Sequence, residues 1–310
     1  MKRKFFIIFV ACLMAGLWDR SANSQNNPEV VAMPFTFEHS SVIVKVKVDA
    51  KGPYNMLLDT GAEQSAVDLN TARELGLKLT PLGGGKVVAT GKGENANTVF
   101  LTTLPQIELA NLMAKDLLAA AIDFSRISER IGIPINGVLG YNFLKNRVVQ
   151  LDYPKRLVRF YSVSPVSKSK QPNTASQMML PFRFVDDDKF PVIDEVYING
   201  KKITAELDTG HSGVLALTAA AIKRLGLEAE AQACEPETSE GALGTSVNRK
   251  CKLKTLSVGS VKIDSPTVSF RAPNSGLDEA PFEGLLGNDF FKDFVVTFDY
   301  RSMTVMFERP

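Results

Sequence analysis

Aspartate occurs twice in the same local setting: Leu57-Leu58-Asp59-Thr60-Gly61 and, 149 residues further on, Glu206-Leu207-Asp208-Thr209-Gly210. Asp and Gly are common turn residues, so one Asp-Thr-Gly would say little. Only about 0.05 such triplets are expected by chance in a chain of this length, which makes the second copy informative. Both copies end a hydrophobic stretch, a setting in which a carboxyl can serve as general acid or general base. Two carboxylates at contact distance cannot both ionise, so a site that brought these two together would share one proton between them.

The elements that must position them repeat as well. Leu75-Gly76-Leu77 returns as Leu225-Gly226-Leu227, Gly137-Val138-Leu139-Gly140 as Gly284-Leu285-Leu286-Gly287, and Asp152-Tyr153 as Asp299-Tyr300. Four landmarks in one order at a nearly constant offset indicate a duplicated unit. The units are expected at 34–161 and 180–310. The Ser-, Pro-, Lys- and Asn-rich stretch 162–179 between them reads as a linker.

Strand signals dominate each unit. Val42, Val44, Val46 and Val48 alternate with Lys45 and Lys47, the period of a strand with one face buried. Asn199-Gly200, between two apolar runs, predicts a tight hairpin leading into the second triplet. A short helix is expected after each triplet: one with Thr71 and Glu74 at capping-box spacing and Gly76 as its stop, the other over Thr218 to Leu225 ahead of Gly226. The segment from Ala110 to Ala121 has helical composition, but its repeat partner, Ser260 to Phe270, has strand character. The repeat predicts a strand there, because intrinsic propensity yields to tertiary context.

This constellation resembles the aspartic peptidases, both the two-lobed pepsin-like enzymes and the one-lobe retropepsins, and it extends over nearly the whole chain after residue 24. A retropepsin-like unit given twice is similar to bacterial aspartyl protease family proteins. The resemblance implies a mainly β, two-lobed fold of two retropepsin-like β-barrel units. It implies that Asp59 and Asp208 are catalytic, working on a bound water without a cofactor. Thr60 and Thr209 would bond across the lobe interface, and Gly61 and Gly210 would admit the backbone close to the carboxyls. Val138-Leu139-Gly140 and Leu285-Leu286-Gly287 would be the strands threaded against the triplet loops.

Two departures stand beside the triplets. Ala62 follows the first, as in retropepsins, where pepsin-like enzymes place Ser or Thr. His211 follows the second and is a candidate for tuning the carboxyls. The first flap is expected over Gly83 to Asn97, without the Tyr of pepsin-like enzymes, and the second within Glu240 to Arg249. Ala62 removes a hydroxyl beside one carboxylate, which would carry activity toward near-neutral pH; a charged His211 would oppose it.

Composition narrows the remaining choices. The formal net charge is +2 and the basic residues are scattered, so no nucleic-acid partner is expected. Two histidines and no zinc-type spacing predict no metal site. Lys2, Arg3 and Lys4 precede an apolar run from Phe5 to Trp18, and Ala22-Asn23-Ser24 has small residues suited to cleavage. Residues 1–24 are therefore expected to be a secretory signal peptide, leaving no stable membrane anchor and an exported protein, periplasmic or secreted. In an oxidising compartment Cys234 and Cys251 form an even pair, expected to be a disulfide. The expected partner is a polypeptide or peptide substrate, bound by a monomer. Two other readings stay open: a catalytically silent binding protein, and a homodimer pairing its sites between chains.

Overall fold

A computed structural model describes residues 30–82, 98–165, 176–185, 190–241, 244–273 and 275–310. The expected leader and first flap lie outside the described residues.

The alternation read along Ser41–Val48 sorts its side chains between faces. Val42, Val44, Val46 and Val48 are buried while Lys45 and Lys47 are exposed. This strand turns back through Asp49-Ala50 into Lys51–Leu58, which delivers Asp59. The second unit repeats the arrangement with Phe190–Ile198 and Lys201–Leu207, which delivers Asp208. Both turns hold two successive residues at positive φ: +49° and +61° at Asp49-Ala50, +50° and +80° at Asn199-Gly200. That is the twist a two-residue hairpin needs, and Asn-Gly adopts it with the least strain.

Each strand delivering an aspartate runs parallel to a short strand from much later in the chain: Lys51–Leu58 beside Gly137–Leu139, and Lys201–Leu207 beside Gly284–Leu286. The same short strands pair on their other side with Ser65–Asp68 and Leu215–Leu217, which leave the triplet loops. The triplets are thereby fixed at both ends.

An eight-stranded sheet forms the first lobe and a ten-stranded system the second. A six-stranded sheet joins them, with Val148–Asp152 and Val295–Asp299 antiparallel at its centre. These are the duplicated segments that end in Asp152 and Asp299. Val30–Pro34 and Gln177–Pro181 close its two edges, the latter reaching into the stretch read as linker because Met178 and Leu180 are buried there. The fold is mainly β and two-lobed.

Leu112–Ile122 is a strand, paired along its length with Phe100–Leu109. The Ala-rich composition loses to this pairing. The helix Leu69–Glu74 corrects the expected cap. Asp68, not Thr71, is its N-cap, accepting the N–H groups of Asn70 and Thr71, both at 3.0 Å. Asp68 is held at the end of a strand, where it also accepts the Phe124 N–H at 3.3 Å, so the sheet decides where the helix begins. The second helix, expected over Thr218 to Leu225, runs Ala219–Leu225 with Thr218 as its N-cap.

Candidate active site

The two triplet loops meet between the lobes and hold one another. The Thr60 hydroxyl donates to the Leu207 carbonyl at 2.7 Å and accepts the Thr209 N–H at 3.0 Å. The Thr209 hydroxyl donates to the Leu58 carbonyl at 2.7 Å and accepts the Thr60 N–H at 3.0 Å. Both threonines are buried, so four backbone groups that would otherwise be unpaired in the interior are satisfied. The grip lies within one chain.

The same symmetry continues at the carboxyls. Asp59 Oδ1 accepts the N–H groups of Gly61 at 2.9 Å and Ala62 at 3.1 Å. Asp208 Oδ1 accepts those of Gly210 at 2.8 Å and His211 at 3.1 Å. The backbone N–H of each aspartate donates at 3.0 Å to a threaded strand, Asp59 to Leu139 and Asp208 to Leu286. A Cβ on Gly61 would strike the Asp208 carboxyl, and one on Gly210 the Asp59 carboxyl. The glycines are what let the two loops close.

The carboxyls hydrogen-bond to each other. Burial raises the pKa of both, most strongly at Asp208, where the Asp59 charge adds to it; the backbone donors oppose the shift at each. The proton belongs to the pair.

Around them opens a cleft of about 1220 Å³. His211, beside Asp208, is buried, and its Nε2 has no hydrogen-bond partner. Burial, with the charges of Arg271 and Arg130 behind it, lowers its pKa to about 3, so the imidazole is neutral. The charged His211 allowed for in the sequence reading is thereby corrected. Ala62 contributes its N–H to Asp59 and no side-chain donor.

Glu206, Arg271 and Arg130 of the cleft wall and one buried amide were not singled out from sequence. Glu206 is buried, with no partner for Oε1; burial raises its pKa well above 4.5, and the Asp208 and Asp59 charges raise it further. Arg271 and Arg130 also line the cleft. Asn288 is fully buried: its amide nitrogen donates to the carbonyls of Thr209 at 2.6 Å and Ser40 at 2.8 Å, and its oxygen accepts from the Tyr153 hydroxyl at 2.6 Å. It ties the second loop to the first lobe. A residue-by-residue comparison of the two halves would have exposed the first two charges, since Glu206 stands opposite Leu57 and Arg271 opposite Ile122. Nothing in the local sequence marks Arg130 or Asn288.

Cys234 and Cys251 are joined by a disulfide at the base of the hairpin Glu235–Gly241/Gly244–Lys252, the expected second flap. Across the cleft the Arg126 side chain, on the helix Ser125–Ile131, donates to Thr245 of this hairpin at 3.2 Å.

Duplicated triplet loops, gripped across two β lobes over paired carboxyls, define an aspartic-protease-like site. The chain belongs to the aspartyl protease family, whose profile matches residues 44–143 and 195–290. Among solved structures it is similar to the crystal structure of Basic 7S globulin from soybean, at 10% identity over 91% of this chain and 95% of that one, with a TM-score of 0.48. No curated protein matches it.

Proposed function

We propose that the protein is an aspartic endopeptidase that hydrolyses peptide bonds with a water activated between Asp59 and Asp208. The observation that carries this reading is the hydrogen-bonded carboxyl pair at the floor of an open cleft. With one proton on the pair, the ionised carboxylate takes a proton from the water as it attacks the scissile carbonyl carbon. The protonated partner donates to the carbonyl oxygen. The tetrahedral intermediate then collapses as a proton passes to the leaving amine, and the pair regains its starting state. No covalent intermediate forms, and the chemistry needs no cofactor. The Gly61, Ala62, Gly210 and His211 N–H groups hold the carboxyls in place through the cycle.

The disulfide fits an oxidising compartment, so export to the periplasm or medium belongs to the same proposal. So does a monomer acting on extended polypeptide, since both carboxyls come from one chain. The test is digestion of a peptide library by purified protein across pH, beside an Asp59→Asn control. Cleavage products from the wild type and none from the control are expected; a wild type that cleaves nothing at any pH makes the protein a binder.

A further inference from the structure

The two walls of the cleft are built from equivalent positions but carry different chemistry. In the first lobe, Val67 pairs with Ala121, and the next residue, Ile122, faces the cleft beside Leu57. In the second, Leu217 pairs with Phe270, and the next residue is Arg271; the counterpart of Leu57 is Glu206. An apolar wall therefore stands across from one bearing a guanidinium.

Arg271 is only 6% exposed, and neither its Nε nor its Nη1 has a hydrogen-bond partner. Elsewhere a half-buried arginine is matched in the ordinary way: Arg159 donates to Asp152 at 3.1 Å and to Gln150 at 3.0 Å. A guanidinium so deeply buried with open donors is costly unless something supplies acceptors. Its place is firm, because its own N–H donates to the Leu217 carbonyl at 2.9 Å and the next N–H to Asn248 at 3.0 Å.

More unpartnered polar atoms face the same space. Arg130 Nε, His211 Nε2 and Ser269 Oγ are all buried without partners, and all three residues line the cleft. The positive fields of Arg271, from the second lobe, and Arg130, from the first, both reach His211, so the two cations converge on one part of the cavity. Arg271 feels the charges of Asp208 and of Glu237 on the hairpin, and Arg130 that of Glu240, so the donors lie near the carboxyl pair and the hairpin. Arg271 Nε and Nη1 and Arg130 Nε stay unpartnered all the same. Burial raises the Glu206 pKa well above 4.5, which disfavours a negative charge there.

We propose that this part of the cleft is a carboxylate-binding subsite, in which Arg271, assisted by Arg130, seats a Glu or Asp side chain of the substrate beside the scissile bond. The inference rests on the peptidase reading for its substrate, and it makes the enzyme selective for acidic residues at one flanking position. The apolar wall of Leu57, Ile122 and Val138 takes the residue on the other side.

The test uses peptides acetylated and amidated at their ends, so that no terminal carboxylate competes. They differ only in Glu, Gln, Leu or Lys at each of the two positions flanking the bond. Charge-assisted hydrogen bonds of this kind predict a Glu over Gln preference of roughly tenfold to a hundredfold in kcat/KM at one position. Arg271→Met should erase that ratio, Arg130→Gln should lower it, and Arg271→Glu should turn it toward Lys. Cleavage without any Glu preference, or a preference that survives Arg271→Met, overturns the subsite and leaves the peptidase reading standing. Calorimetry of the Asp59→Asn protein with the same peptides reads the subsite without turnover. Tighter binding of the Glu peptide in a protein whose wild type cleaves nothing would keep the subsite and remove the peptidase. Equal binding of Glu and Gln peptides would overturn the subsite whether or not the arginine variants fold.

Discussion

The hydroxyls of Thr60 and Thr209 each donate across the lobe interface at 2.7 Å, to the carbonyls of Leu207 and Leu58, and each accepts the N–H of the other threonine at 3.0 Å. Removing one hydroxyl therefore strands two buried backbone groups on the opposite loop. Thr60→Val and Thr209→Val keep the shape and lose the bonds. Each should cost roughly 2–4 kcal/mol, counting the desolvation of both orphaned groups. Urea denaturation measures this, and an effect below about 1 kcal/mol would show that the grip is not structural.

The carboxyl pair should be indispensable and yet a burden on stability. Asp59→Asn and Asp208→Asn should each lower cleavage more than about a thousandfold, and the double variant should fall little further, because the residues act as a unit. Mixing the two single variants should restore nothing, since the loops pair within one chain. Burial raises both folded pKa values, so the charge held at neutral pH opposes folding. Both variants should melt at or above the wild-type temperature at pH 7. Retained activity in either one would sink the shared site.

Glu206 gives a separate stability signature. Its folded pKa is raised above the ordinary 4.5, so its favourable contribution is complete below that value and is lost as pH rises toward the folded pKa. Glu206→Gln should be more stable than wild type at pH 7–8 and equal to it near pH 4. Parallel melting curves across that range would refute a buried, protonated Glu206.

His211 should carry the opposite sign. With its pKa lowered from 6.5 to about 3, its contribution is present above pH 6.5 and is lost as pH falls toward 3. His211→Gln should flatten the acid side of the stability profile. It should change the height of the pH–activity curve but not the position of its limbs above pH 4. The raised values of the carboxyl pair place the alkaline limb above the ordinary carboxylate range. A limb that moves with His211→Gln would show the imidazole titrating in the working range.

Reducing the Cys234–Cys251 bond, or replacing both cysteines by serine, should cost about 3 kcal/mol for a loop whose ends are 17 residues apart. The hairpin it anchors carries Glu237 and Glu240 on the cleft rim, so hydrogen exchange should quicken there first.

Much of this architecture is written in local pattern. The period of Val42 to Val48, the Asn199-Gly200 turn and the repeated triplets each report on a few adjacent residues, and each has one low-energy outcome. Duplication then converts those local readings into a two-lobed fold with Asp59 and Asp208 as its paired groups. The helix cap at Asp68 was less legible, since the end of a strand rather than a capping spacing decided it. What only the tertiary structure decided is the state of the side chains around the pair. His211 is neutral, the Glu206 pKa is raised and Arg271 is left with open donors because distant segments bury them together. Arg130 and Arg271 reach one cleft from opposite lobes, and Asn288 joins Thr209 to Ser40 and Tyr153. Burial and electrostatic coupling belong to the packed arrangement, so no window of sequence carries them.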